Sequence, residues 1–204
     1  MFRKKSSLLL VLCLVLPLAL QAQDSTSSSA NSEGKAHAAY IKGLEEFENE
    51  NYERALDHLS TAYMDLPKHA GVNYALADAY LAIDDLSNAA YYGKKAAELE
   101  PQNKWYHLQL ANIYRRAGRN QATIDQLKLA LKYHPNATDV MSELANVYSQ
   151  HEQYLESNKI YTQLLNKTGP DIGIYLQKLQ KFQRPGYAGF GHRAAEENTR
   201  AGSR

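Results

Sequence analysis

Proline stands at Pro67, Pro101 and Pro135, 34 residues apart each time. Four more columns keep that register: Ala62, Ala96 and Ala130; Leu76, Leu110 and Leu144; Ala77, Ala111 and Ala145; Tyr80, Tyr114 and Tyr148. A fixed period of this length marks a stacked array, in which each unit buries its apolar face only by lying against its neighbours. The units run over 36–69, 70–103, 104–137 and 138–171.

Each unit reads as two antiparallel helices. In the second unit Leu76, Ala77, Tyr80 and Leu81 recur at the three-and-four spacing of one apolar helix face, and Asp84-Asp85 make a turn. Ala89, Tyr92, Ala96 and Leu99 then mark a second helix, which Pro101 ends because proline cannot continue it. Two helices approach closely only where side chains are small. The eighth position of the units is Gly43, Ala77, Ala111 and Ala145, and the twentieth is Ala55, Ala89, Thr123 and Ser157.

These residues resemble the tetratricopeptide repeat, a 34-residue motif with a small residue at position 8, Tyr at 11, Ala at 20 and 27, and Pro at 32. The second unit, AGVNYALADAYLAIDDLSNAAYYGKKAAELEPQN, follows it almost throughout. The first unit departs with Glu46 at the tyrosine position and Phe47 beside it, and the third with Thr123 for alanine. The fourth has Leu164 for alanine, and its proline, Pro170, falls one place late. The resemblance implies an all-α fold: an α-solenoid of four antiparallel hairpins in a right-handed superhelix, whose first helices line a concave groove that binds proteins or peptides.

In that family the groove is lined from positions 2, 5, 9, 12 and 13. Carried onto this chain, the first unit offers His37, Tyr40, Leu44, Phe47 and Glu48, and the second Gly71, Tyr74, Asp78, Leu81 and Ala82. The third offers Trp105, Leu108, Asn112, Arg115 and Arg116; the fourth offers Asp139, Ser142, Asn146, Ser149 and Gln150. The resemblance thus implies a peptide groove in which Tyr40, Tyr74 and Trp105 grip apolar side chains, with Asp78 and Leu108 among its lining residues. Asn112 and Asn146 would hold the ligand backbone, since an amide both donates and accepts. Arg115 and Arg116 would meet a carboxylate, which guanidinium pairs bidentately. Packing between helices is the competing role for the aromatics, and simple solvation for the arginines. Family members that clamp chaperone tails use a set of Lys and Asn; here Tyr40 and Leu44 replace the first pair and Trp105 a later Lys, so that mode is not expected.

The ends of the chain point to export. Arg3-Lys4-Lys5, the apolar run Leu8 to Leu20 and the small Ala22 compose a signal peptide over 1–23, too short for a membrane span of ~20 apolar residues. Residues 24–35 (DSTSSSANSEGK) form a Ser-rich linker. The single cysteine, Cys13, follows Leu12 rather than the small residue of a lipid-anchor site, and cleavage would leave no thiol for a disulfide. Ile174, Leu176, Leu179 and Phe182 suggest a capping helix over 172–183, and 184–204 reads as a disordered tail.

Without Arg3, Lys4 and Lys5, 20 basic residues stand against 22 acidic ones, which leaves no electrostatic footprint for nucleic acid. His151-Glu152 opens like a zinc-protease helix, but Leu155 replaces the second histidine. With no phosphate loop and no nucleophile elbow, the expectation is a non-enzyme without metal, cofactor or small-molecule substrate. The function expected is binding of a protein or peptide partner in the periplasm or cell envelope. The alternative is a scaffold of an envelope complex that works through its convex face or its ends. Asn136-Ala137-Thr138 and Asn166-Lys167-Thr168 fit glycosylation acceptors, relevant only in a eukaryotic secretory pathway.

Overall fold

The computed structural model describes residues 32–169 together with 173 and 174. The signal peptide 1–23, most of the linker, the tail and all of the capping segment but Gly173 and Ile174 lie outside them. The described residues form eight helices and no strand. α1 covers 32–48, followed by α2 (Tyr52–Asp65), α3 (Ala70–Ala82), α4 (Leu86–Leu99), α5 (Lys104–Arg116), α6 (Asn120–Tyr133), α7 (Thr138–Gln150) and α8 (Tyr154–Thr168). One boundary differs from expectation: residues 32–35, assigned above to the linker, are already helical. The reason is local, because Ala36 is buried and a helix that must present it is extended by the turn before it.

Two compact units part between Leu99 and Glu100. In the first, α3 packs on α4 and α2 on α3; in the second, α5 packs on α6, α7 on α8 and α6 on α7. The close approach within each hairpin lies at the small positions. Ala55, Ala77, Ala89 and Ala145 are fully buried, and Ala111 and Thr123 nearly so. In α1 the fit is tightest: a Cβ on Gly43 would stand 2.6 Å from Leu59 Cγ and 2.7 Å from Cδ2, and Leu59 is itself completely buried. Where alanine is replaced by a hydroxyl residue, the hydroxyl is bonded. Thr123 Oγ1 donates to the Arg119 carbonyl at 3.1 Å, and Ser157 Oγ donates across the hairpin to the carbonyl of Ala145 at 2.8 Å.

All four hairpins turn the same way. The N–H groups of Asn51, Asp85, Arg119 and Gln153 donate to the carbonyls of Glu46, Tyr80, Tyr114 and Tyr148, closing the six-residue turn that ends many helices. That turn needs one residue in the left-handed region. It is supplied by Glu50 (φ 60°), Asp84 (φ 64°), Gly118 (φ 69°) and Glu152 (φ 60°), again at 34-residue intervals. Asp85 then caps α4, accepting from the Asn88 N–H at 3.0 Å, and these bonds hold its carboxyl below the usual aspartate range.

Between hairpins a buried polar side chain ties the first helix to the turn before it. Asn73 Nδ2 donates to the carbonyls of Pro67 (3.1 Å) and His69 (2.9 Å). One unit later the buried His107 donates from Nε2 to the Pro101 carbonyl at 2.8 Å, and its Nδ1 lies 3.0 Å from the side-chain amide of Gln126. The equivalent residue of the fourth unit is Met141, which packs instead with Ala145, Tyr161 and Leu164.

Three substitutions test these readings. Gly43→Ala should lower stability by about 1–3 kcal/mol through overpacking against Leu59, outweighing the ~1 kcal/mol that alanine gains over glycine in a helix. A melting temperature at or above the parent's would mean that α1 and α2 separate without cost. Glu50→Gly should raise stability by about 1 kcal/mol by removing the left-handed strain, and Gly118→Ala should lower it comparably; urea denaturation of both variants reads the difference.

Candidate functional site

In the first unit the expected groove residues are occupied with packing. The Tyr40 ring lies against the Ala55, Leu59 and Leu76 cluster and 5.5 Å from the His69 ring, and burial raises its phenol pKa. Its hydroxyl stands 2.9 Å from where a Cβ on Gly71 would sit, so a larger residue there would have to displace it. Tyr74 and Asp78 are half-buried on α3, and Leu81 is buried. Phe47 is half-buried and pairs with Tyr52 at 5.5 Å. Leu44 and Ile41 remain exposed on α1.

In the second unit the first helices, α5 and α7, carry the more open set. Trp105 is 59% exposed at the start of α5, with Lys104 Nζ 4.6 Å from its ring centre. It borders a surface cavity of about 580 Å³, lined also by Tyr133, His134, Pro135 and Asn136 from the turn between α6 and α7. Asn103 orients this corner by capping α5, its Oδ1 accepting from the Trp105 N–H at 3.2 Å. His134 Nε2 donates to the Gln102 carbonyl at 2.6 Å and thereby holds the two turns together. Leu108 is half-buried against the core of the hairpin.

The two asparagines and the arginines are not bare. Arg115 Nη2 donates to Asn112 Oδ1 at 2.6 Å, and its Nε lies 4.0 Å from Glu143 Oε1 on α7. Asn146 Oδ1 accepts from the Tyr161 hydroxyl at 2.8 Å, and burial pushes that phenol's pKa up. Arg116 is exposed at the end of α5. Ser149, given to the groove by position, is buried and bonded to Ser157 at 2.6 Å. Lys104 Nζ donates to Asp139 Oδ2 at 2.8 Å, so two basic groups of α5 meet two acidic groups of α7.

Glu143 and Tyr161 were missed in the sequence. Glu143 sits at position 6, outside the positions that line the groove in the family, yet a glutamate is long enough to approach Arg115. Tyr161 lies on the second helix of its hairpin, α8, and its hydroxyl reaches across to Asn146 on α7. The arrangement can hold an extended chain by hydrogen bonds and aromatic contact, with an arginine partly neutralised by Glu143.

The hydrogen bond from Lys104 holds the Asp139 carboxyl below the usual aspartate range. A carboxylate depressed in the folded state stabilises it above the unfolded pKa of about 3.9, and loses that contribution as pH falls through the folded value. Half of the Asp139 side chain is exposed, so solvent screening limits the pair to ~0.2–1 kcal/mol. The stability gap between the parent and Asp139→Asn should therefore be present at pH 7 and shrink as pH falls below the unfolded pKa of about 3.9; thermal melts across that range would show a constant gap if the pair contributed nothing.

The family profile described as Tetratricopeptide repeat matches residues 40–104. No curated protein sequence matches the chain. Among solved structures, the chain is similar to the MamA protein at a TM-score of 0.66 and 16% identity, over 80% of this chain and 90% of that one. It is also similar to YrrB, described as a TPR protein with an unusual peptide-binding site, at 0.61 and 16% identity, over 80% and 88%. The first TPR of Spaghetti (RPAP3), solved with the HSP90 peptide SRMEEVD, matches at 0.55 and 17% identity, over 59% and 95%. Residues 40–104 thus carry tetratricopeptide repeat, and the eight helices of the described residues share the all-α helical-repeat fold of these solved structures.

Proposed function

We propose that this chain is a non-catalytic interaction module that binds an extended peptide segment of a partner protein along α5 and α7. The observation that carries the reading is Trp105, a large aromatic left 59% exposed beside an open cavity. Exposed tryptophan and arginine are the commonest anchors of binding energy at protein interfaces. Asn112, Arg115, Arg116 and Asn146 supply polar groups on the same two helices. The bond between Arg115 and Asn112 holds the guanidinium ready for a carboxylate, and Glu143 opposes that carboxylate. YrrB and the Spaghetti repeat, by their descriptions, are peptide binders on the same fold, which supports the class without naming a ligand. The basic, apolar N-terminal residues support export to the periplasm or envelope.

Selection from a random peptide library tests the reading, with the parent compared to Trp105→Ala and to an Arg115→Ala, Arg116→Ala double variant. Peptides pairing an aromatic or apolar residue with an acidic one should be enriched by the parent and weakened at least tenfold by each variant, in keeping with the ~2 kcal/mol of an interface anchor. Glu143→Gln should tighten them several-fold. Equal retention by all of these proteins would remove the site from α5 and α7.

A further inference from the structure

In the first unit, five residues from three helices that no groove position includes come together on one side. Tyr63 of α2, Tyr80 of α3, and Tyr91, Tyr92 and Lys95 of α4 form a connected set. The Tyr80 and Tyr92 rings stack with 5.5 Å between centroids and 3° between planes, while Tyr63 meets Tyr92 edge-on at 5.3 Å and Tyr91 meets it at 5.0 Å. Lys95 Nζ lies 5.0 Å from the Tyr63 ring centre and 4.8 Å from that of Tyr91, and donates to the Tyr63 hydroxyl. Tyr63, Tyr80 and Tyr92 are half-buried against the apolar core of the unit, whereas Tyr91 is 54% exposed.

This is a cation that the fold positions but does not neutralise. Among the described residues no carboxylate is ion-paired with Lys95, and Glu98, the one acid of α4, pairs with Lys94 at 3.5 Å. Aromatic faces attract an ammonium without removing its charge. A lysine uses three donor hydrogens, and each phenol whose oxygen accepts from it keeps an O–H to donate. Bonding to Lys95 lowers the pKa of the Tyr91 phenol, which makes it a better donor.

We infer that Lys95, with the hydroxyls of Tyr63 and Tyr91, forms a second binding site that takes a carboxylate side chain of a partner protein. One fixed positive charge with two neutral donors matches a monoanion. A phosphate dianion would be left half-neutralised. The site is built by the second helices of the first two hairpins and shares no residue with α5 and α7, so its failure and that of the peptide site are separable.

The test is titration of the full chain, carrying ¹⁵N,¹³C-labelled lysine, with N-acetylglutamate blocked as its α-methylamide so that the side-chain carboxylate is its only charge and, separately, with inorganic phosphate. The blocked glutamate should shift the Lys95 side-chain signals saturably, with an affinity on the order of millimolar suited to a single contact. Tyr63→Phe keeps the ring and the packing but loses the hydroxyl, and should weaken it about tenfold, as expected for a charged hydrogen bond. Three results would overturn the inference: no saturable shift with the blocked glutamate, a response unchanged in Tyr63→Phe, or tighter binding of phosphate than of the carboxylate.

Discussion

Each hairpin depends on two helix backbones being allowed to approach at a pair of small residues. At Gly43, Ala77, Ala111 and Ala145 the first helix presents at most a methyl group, and Ala55, Ala89, Thr123 and Ser157 answer from the second. Everything larger is arranged around that contact. Leu76, Leu110 and Leu144 fill the space beside it and are almost wholly buried, while the tyrosines three or four residues on close the wider end. Because the contact is local and repeated, each hairpin is a packing problem solved four times, and within each compact unit α2 on α3 and α6 on α7 add contacts between neighbouring hairpins.

The same economy explains which departures from the repeat are tolerated. A hydroxyl can replace a methyl at the twentieth position when a carbonyl lies within reach, as Ser157 shows with Ala145 and Thr123 with Arg119. A buried hydroxyl without such a partner would carry a desolvation cost of about 1–3 kcal/mol. Glu46 replaces a tyrosine in α1 by turning its carboxylate toward Asn51 at 2.9 Å and Arg54 at 4.0 Å, so a polar contact stands where an aromatic one is made in the other units.

Much of this architecture was legible because each repeated column has its own physical reason. A proline recurring every 34 residues ends helices, and a small residue at a fixed place marks contact. The left-handed turn residues were not legible, since glutamate at Glu50 and Glu152 carries no conformational signature and only Gly118 announces the turn. At the candidate site the sequence named the helices that bear Trp105, Asn112, Arg115 and Asn146 but not what these side chains touch. Tyr40 illustrates the limit: a tyrosine has an apolar body and a polar tip, and whether it grips a ligand or its own neighbours depends on Gly71, one unit away. The tyrosines around Lys95 escaped because they come from three helices, and no single helix face contains them.

Met141 stands where Asn73 and His107 tie their helices to the preceding carbonyl. Hydrogen bonds of that kind change little on cooling, whereas apolar contact weakens as the temperature falls. The fourth hairpin lacks that tie and is held to the third through apolar packing, the screened ion pairs Lys104–Asp139 and Arg115–Glu143 and the Lys167–Asn136 bond, so its attachment is the one that leans most on the contact that cold weakens. Its α7 carries half of the proposed peptide site, so low temperature would loosen the ligand's seat well before it unfolded the rest of the chain.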